Sequence, residues 1–435
     1  MNRSAPRIAM VAGEASGDLL AAHLMATLKQ RFPGARFMGI GGSRMRAEGF
    51  EAWWPADKLA VRGYIEVLRH YPEITGIRRK LAQRLEAEKP DLFIGVDAPD
   101  FNLDLEIRLR EQGIVTCHYV SPSIWAWRGG RMDKIRRAAG HLLCLFPFEE
   151  GLYAKASVPA TYVGHPLADM IDLDAGSAAA RAAARTQLGL PQDVPVIGLL
   201  PGSRESELRY LADRFVRTAM QISTTRPEVH FVVPFASAAT EAQWRSAQHA
   251  AGLDTAAAGH AAPFRTTQGA VHATTHATPH ATAHSTEHGA PLFTLVQGAS
   301  HAALAACDVA LVASGTATLE TALLRRPMVI AYNMAPLSWA MMRRMKYQPW
   351  VGLPNVLCGE FVVPEFLQDE AVPATLAQAL LNLLDDHNLR TRIAARFDAL
   401  HRSLRRDSAA RAADAVASVL QASNMVPPPA RHVQA

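Results

Sequence analysis

Cysteine is scarce in this chain of 435 residues: Cys117, Cys144, Cys307 and Cys358 stand far apart, with no CxxC pair. That spacing excludes a disulfide framework and a zinc knuckle, and it fits a reducing compartment. Long apolar runs are also missing. Stretches such as 141–148 (HLLCLFPF) fall well short of the roughly 20 residues a membrane-spanning helix needs, so any membrane contact is expected to be peripheral. The first apolar run stops at Gly13 and Glu14, too short for a signal-peptide core, and no export is expected. Charge of one sign is not in large excess: 45 Lys+Arg against 40 Asp+Glu leave +5. This mild bias suits an anionic surface or substrate and does not call for nucleic acid. Neither GxGxxG, GxxxxGK with Ser or Thr, HExxH nor GxSxG occurs, which argues against a dinucleotide fingerprint, a P-loop, a zinc helix and a hydrolase elbow. The DxD of Asp172-Leu173-Asp174 sits in a linker rather than after a strand, where a metal site is not expected.

What is present is the composition of a folded protein, 49% hydrophobic and 20% charged, long enough for two cores. Short apolar runs alternate with helical patterns, the signature of βαβ units. Strands are predicted at 7–13, 35–40, 91–97, 114–120, 141–146 and 160–164, with helices at 17–31 and 102–112. The pattern restarts with strands at 194–200, 229–235, 292–296, 308–313 and 328–332 and helices at 205–225 and 316–325. The expected fold is α/β: two Rossmann-like doubly wound domains facing across a cleft, 1–170 and 171–390, joined through 166–193, with C-terminal helices and a loose tail over 391–435. From 255 to 290 the chain is low in complexity, and His272, His276, His280, His284 and His288 recur every four residues. On a helix they would share a face within reach of a metal. Pro279 and the many threonines argue for a disordered surface insertion instead.

Ligands of open parallel sheets collect beyond the carboxyl ends of the strands. After the first strand comes Gly13-Glu14-Ala15-Ser16-Gly17-Asp18. Gly17 lets a ligand approach the backbone, Ser16 and Asp18 can cap the next helix, and Glu14 has no evident task in a plain turn. Strand 91–97 ends in Asp97, a carboxylate suited to general base catalysis when partly desolvated, and Asp100 or Asn102 can cap the helix that follows. Residues 118–127 (HYVSPSIWAW) offer the Ser121 hydroxyl and the flat face of Trp125, although a structural tryptophan cluster explains them equally well. In the second half, Gly202-Ser203-Arg204 and Ser314-Gly315-Thr316 each lead from strand to helix, where backbone N–H groups suit a diphosphate. Glu320, one turn into its helix, can hold ribose hydroxyls.

GEASGD, GVDAPDFN, HYVSPSIWAW, VGHP, PGSR and ASGTATLE, in this order, resemble the lipid-A-disaccharide synthases of Gram-negative bacteria, which are similar to glycosyltransferases of the two-Rossmann-domain type called GT-B. The resemblance spans roughly 1–250 and 291–390. It implies transfer of 2,3-diacylglucosamine from UDP-2,3-diacylglucosamine, the donor, to 2,3-diacylglucosamine 1-phosphate, the acceptor, with inversion and release of UDP, and no cofactor or metal. The diphosphate would lie by Gly202, Ser203, Arg204 and Ser314 to Thr316, and the ribose by Glu320. Asp97 is the candidate base, with Glu14 as its rival or as an acceptor ligand. Asn355 and Gln368 match family positions on the resemblance alone.

Acylated substrates lie in a membrane. Tyr64, Ile65, Leu68 and Tyr71 sit among Arg62, Arg69, Arg78 and Arg79, a pattern for docking at the anionic cytoplasmic leaflet of the inner membrane or for an ordinary amphipathic helix packed on the sheet. Met341 to Lys346 (MMRRMK) forms a similar candidate surface. The resemblance therefore implies a cytoplasmic protein held peripherally at the membrane, and a homodimer is among the states the sequence leaves open. Two rivals of other classes are a UDP-sugar epimerase of similar two-domain build and a metal-sequestering protein built on the histidine block.

Overall fold

The structure, a computed structural model, describes residues 5–55, 64–125, 129–253, 259–260, 290–336, 339–340 and 348–425, and leaves aside the side chains of 64–71, 129, 259–260 and 424–425. Runs that are apolar on both faces become central strands, because helices cover a parallel sheet from both sides and leave it no polar face. Arg7–Ala12 (β1), Arg36–Gly41 (β2), Glu51–Pro55 (β3), Leu92–Val96 (β4), Thr116–Tyr119 (β5), His141–Cys144 (β6) and Ala160–Tyr162 (β7) form one parallel sheet in the order β3-β2-β1-β4-β5-β6-β7. A second parallel sheet contains Val196–Leu200 (β8), His230–Phe235 (β9), Gly259–His260 (β10), Leu292–Gln297 (β11), Val309–Ala313 (β12), Met328–Tyr332 (β13) and Glu365–Leu367 (β14), in the order β10-β11-β9-β8-β12-β13-β14. Strand order reverses between β1 and β4 in the first sheet and between β8 and β12 in the second, so each has a switch point of the kind where ligands bind.

The first half carries helices Ala15–Arg31 (α1), Ser43–Ala47 (α2), Tyr64–Glu88 (α3), Pro99–Glu111 (α4), Met132–Ala138 (α5) and Pro147–Lys155 (α6). Pro166–Met170 (α7) and Ala178–Leu188 (α8) occupy the expected connection. Beyond it come Glu205–Thr225 (α9), Ala238–Ala250 (α10), Ser300–Ala306 (α11), Thr316–Leu323 (α12), Leu353–Cys358 (α13), Pro373–Asp385 (α14), His387–Leu404 (α15) and Ser408–Met425 (α16). The chain divides into two units, Met1–Asp169 with Leu404–Ala435, and Met170–Ser403.

Alternation along β1 shows how the first core is built. Ile8, Met10 and Ala12 pack with Leu24 and Leu28 of α1 and with Val416 and Leu420 of α16. Ala9 and Val11 point to the other face, onto Leu81 and Leu85 of α3 and Leu105 and Leu109 of α4. Side chains of successive strand residues face opposite ways, so a single strand feeds both cores. Each such leucine, fully buried, contributes about 2 kcal/mol. In the second unit α9 buries Leu208, Leu211, Ala212, Phe215, Val216, Ala219 and Ile222, a helical stripe.

The histidine block lies outside the described residues except at its start, where Gly259 and His260 pair in parallel with Thr294 and Leu295. The insertion expected from residue 255 therefore begins with a strand added to the sheet edge. Met341 to Lys346 also lie outside the described residues, as do Arg62 and the side chains of Tyr64, Ile65, Leu68 and Tyr71.

Candidate functional site

In the first unit, the loops that follow the two strands flanking the switch point carry Glu14 and Asp97. Glu14 is the N-cap of α1 in extended conformation and offers no side-chain cap. Ser16 is exposed and Gly17 buried. Asp18 does not cap α1, as the sequence reading had it. Its buried carboxylate accepts instead from Gly42 N (2.8 Å), Arg44 N (3.0 Å) and Met45 N (3.1 Å), so it caps α2 and ties that turn to α1. Gly42 is needed there, since a Cβ would lie 2.6 Å from the carboxylate. Asp18→Ala would leave these donors without their acceptor and should cost about 3 kcal/mol. Urea denaturation measures it, and a loss below about 1 kcal/mol, within the range of an ordinary surface change, would contradict the assignment.

Asp97 follows β4 with φ +53, and Ala98 follows with φ +43, two consecutive left-handed residues that are not glycine. Such backbone is uncommon and clusters at functional sites. Asn102 holds it: fully buried, it donates from Nδ2 to Asp97 O at 2.8 Å. Neither Asp100 nor Asn102 is the cap, because Ala98 occupies that position without a side-chain bond. Asp100 is exposed and ion-pairs with Arg131. Burial pushes the Asp97 carboxyl above the ordinary aspartate range, with the Glu14 charge adding to the rise and the Ala98 backbone and His118 opposing it.

Behind these residues lies a polar cluster that motif reading missed. His118 on β5 and Glu106 on α4 are both fully buried, with Nδ1 of His118 2.7 Å from Oε1 of Glu106. The spacing of Asn102 and Glu106, one helical turn apart on a face otherwise filled by Phe101, Leu105 and Leu109, was the available signal.

Ser121 is also buried, its Oγ 2.7 Å from the Tyr153 hydroxyl. Trp125 donates Nε1 to Glu149 at 3.2 Å and meets Phe148 edge to face, with centroids 5.2 Å apart. Burial raises the Glu149 carboxyl to about 7, against hydrogen bonds from Phe146, Ser121 and Trp125 that lower it. The folded protein thus holds a proton that the unfolded chain releases near 4.5. The stabilisation this brings is complete below about 4.5 and is lost as pH rises to about 7, an effect on the order of 3 kcal/mol. The native protein should lose stability over that window relative to Glu149→Gln, whose own curve should be flatter. Parallel curves in thermal melts from pH 4.5 to 8 would contradict this.

In the second unit the loops after β8 and β12 flank the other switch point. Gly202 has φ +131, and a Cβ there would lie 2.5 Å from Glu207 Cβ. The Glu207 carboxylate reaches back to Ser203 N (2.8 Å) and Arg204 N (3.2 Å). Glu207 therefore already occupies the N–H groups expected for a phosphate, while the Arg204 side chain stays exposed beside it. After β12, Gly315 is the N-cap. Ser314 donates its backbone N–H to Ala331 O at 2.9 Å, and Thr318 bonds Gly315 O at 2.7 Å. Thr318 N also donates to Gly315 O at 3.1 Å, which leaves the N–H groups of Thr316 and Ala317 as the open start of α12. Glu320 approaches His301 Nε2 at 3.4 Å. His301 titrates above the usual histidine range, raised by its bond to Glu320 against burial.

Asn355 is fully buried. It donates to Val363 O and Glu365 Oε1, both at 2.8 Å, and accepts from Val362 N and Val363 N. That uses all its hydrogen-bonding capacity within the fold. Gln368 has φ +55; with its amide turned to suit its neighbours it donates to Asn333 Oδ1 at 2.8 Å and bridges Met334. Thus Glu14, Asp97 and Asn102 come together in the first unit, and Gly202 to Arg204 and Ser314 to Thr316 lie on adjacent strand ends in the second.

Two parallel α/β sheets, each with polar loops at its switch point, define the GT-B class. Solved structures share this fold: the glycotransferase of kitacinnamycin (TM-score 0.57, 15% identity, 96% of this chain and 99% of that one) and UDP-GlcNAc 2-epimerase from Neisseria meningitidis (TM-score 0.59, 11% identity, 96% and 100%). The sequence matches the family Lipid-A-disaccharide synthetase over residues 8–259 and 275–419. It is 51% identical to the lipid-A-disaccharide synthase of Aromatoleum aromaticum, with 96% of this chain and 97% of the relative covered. It is 50% identical to that of Dechloromonas aromatica, with 96% and 99% covered. The chain belongs to the lipid-A-disaccharide synthase family of hexosyltransferases. The epimerase alternative is not favoured, since the epimerase likeness lies in the fold alone.

Proposed function

We propose that the chain carries out its family's reaction on UDP-2,3-diacylglucosamine and 2,3-diacylglucosamine 1-phosphate, with Asp97 as the general base. The observation that carries this reading is a half-buried carboxylate on a left-handed turn at the β1/β4 switch point, its backbone held by Asn102. Asp97 takes the proton of the acceptor hydroxyl, that oxygen bonds to C1 of the donor sugar, and the C1–O bond breaks with its electron pair leaving on UDP. One base on one face and one leaving group on the other give inversion.

Charge grows on the diphosphate as that bond breaks, so the Arg204 guanidinium and the open start of α12 stabilise the transition state more than the bound donor. The N–H groups of Ser203 and Arg204 join them once Glu207 lets go. Glu320 serves the ribose. Glu14, next to Asp97, orients the acceptor. The acyl chains are met at a bilayer: no helix among the described residues is long and apolar enough to cross a membrane, and the cationic, apolar sequence around Tyr64 to Tyr71 supports peripheral docking.

Donor turnover should require the acceptor. Purified protein given UDP-2,3-diacylglucosamine alone should release no UDP, and adding the acceptor should start release. Donor consumption without acceptor would favour epimerase chemistry. Co-sedimentation with vesicles containing anionic lipid tests docking, and binding that ignores both vesicle charge and the substitution of Arg69 would count against it.

A further inference from the structure

A buried ion pair is seldom retained for stability alone, because the cost of taking both charges out of water rivals their attraction. His118 and Glu106 lie 2.7 Å apart with no solvent exposure, an ion pair of this kind when the imidazole is protonated. The fold makes room for it: Gly95 on β4 pairs with His118 on β5, and a Cβ at Gly95 would overlap the Glu106 carboxylate and lie 2.9 Å from Asn102 Cβ. Among the described residues, His118 Nε2, Glu106 Oε2 and Asn102 Oδ1 are buried without a hydrogen-bond partner. These are polar atoms that a merely structural network would satisfy.

We propose that the His118–Glu106 pair is a positioning device for Asp97: Glu106 keeps the imidazole of His118 protonated, and that positive charge behind the β4 tip keeps Asp97 ionised and able to accept a proton. The proposal rests on the reading of Asp97 as the base.

The groups that bear on it come from each neighbouring element. Toward Asp97 face His118 from β5, Glu14 from the loop before α1 and the Ala98 backbone. Toward His118 face Glu106 from α4 and Asp97 from the end of β4. Cys117, beside Glu106, stays a neutral thiol, pushed far up by burial. Burial alone would strip His118 of its proton, yet the two carboxylates together hold its titration above the ordinary histidine range. The same attraction pulls the Asp97 carboxyl down against burial and the Glu14 charge. Asn102, one turn before Glu106, fixes the Asp97 carbonyl at 2.8 Å. One face of α4 thus holds both the backbone and the charge state of this residue.

Removing the positive charge should raise the Asp97 titration further, so the acidic limb of the rate profile should move to higher pH. The test is a pH profile of kcat, with KM and UDP affinity, on the full-length Glu106→Gln and His118→Gln variants. The first changes little in shape and the second retains a polar side chain, so either one that folds keeps the test alive. The expected result is a fall in kcat that reaches about tenfold on the acidic limb, with KM and UDP affinity within about twofold of native and that limb raised by about one pH unit. A variant that binds UDP normally and keeps both native kcat and the native acidic limb overturns the proposal. So does a loss of turnover with no movement of the limb. If Asp97→Asn itself keeps full turnover, the base assignment has failed, which is a separate result from an unmoved limb in these variants.

Discussion

Asp97→Asn should lower kcat by about 10²- to 10⁴-fold, the span that a positioned general base supplies, and leave UDP binding within about twofold. The substitution is well placed to isolate chemistry. Asn tolerates left-handed backbone better than most residues, so the turn at φ +53 should persist, and the side chain keeps its volume. The amide cannot take the acceptor's proton. Steady-state rates and UDP titration together decide the matter: unchanged turnover would remove Asp97 from the base role and move attention to Glu14. A joint loss of rate and UDP affinity would mean that the substitution damaged the fold instead.

Arg204→Ala carries the second large effect. Its guanidinium is exposed at the start of α9, with Glu207 at 3.8 Å. A charge-assisted, forked contact to the diphosphate should be worth about 3–4 kcal/mol at the transition state. We therefore expect kcat/KM for the donor to fall by about 10²- to 10³-fold, and Arg204→Lys to recover only part of it, because an ammonium keeps the charge and loses the fork. A fall below about threefold in Arg204→Ala would place the diphosphate elsewhere. The acidic limb assigned to Asp97 should stay where it is in both variants.

Both doubly wound sheets were legible because their central strands are apolar throughout. Val196–Leu200 and Val309–Ala313 are buried at every position, and such runs between helical patterns leave few other readings. The edge strand β7 was predicted at 160–164, but the edge strands β3 and β14 were not legible. Glu51–Pro55 is half-exposed and ends in proline, and Glu365–Leu367 spans three residues of intermediate burial, so neither makes an apolar run. Helix starts depended on caps: α9 opens at Glu205 as predicted, whereas α4 opens at Pro99, earlier than the predicted 102, because proline suits the first helical position.

Site residues divided in the same way. Asp97 and Gly202 could be picked out because a strand end in a parallel sheet is a known place for ligands. The role of Asp18 was hidden, since its partners lie 24 to 27 residues away and no local pattern marks them. Glu106 and His118 looked like members of an ordinary helix and strand, and only burial on a shared face gives their charge a meaning. Asn355 shows the converse, where a resemblance pointed to a residue whose side chain is wholly engaged by the Val362 to Glu365 segment.

The reaction proposed is a single displacement at C1 by an acceptor oxygen that Asp97 deprotonates, with UDP as the leaving group. Proton NMR of the disaccharide formed from both diacylglucosamine substrates tests it most directly. A β linkage is expected, with UDP and disaccharide 1-phosphate in equal amounts. An α linkage, or UDP released without disaccharide, would contradict it.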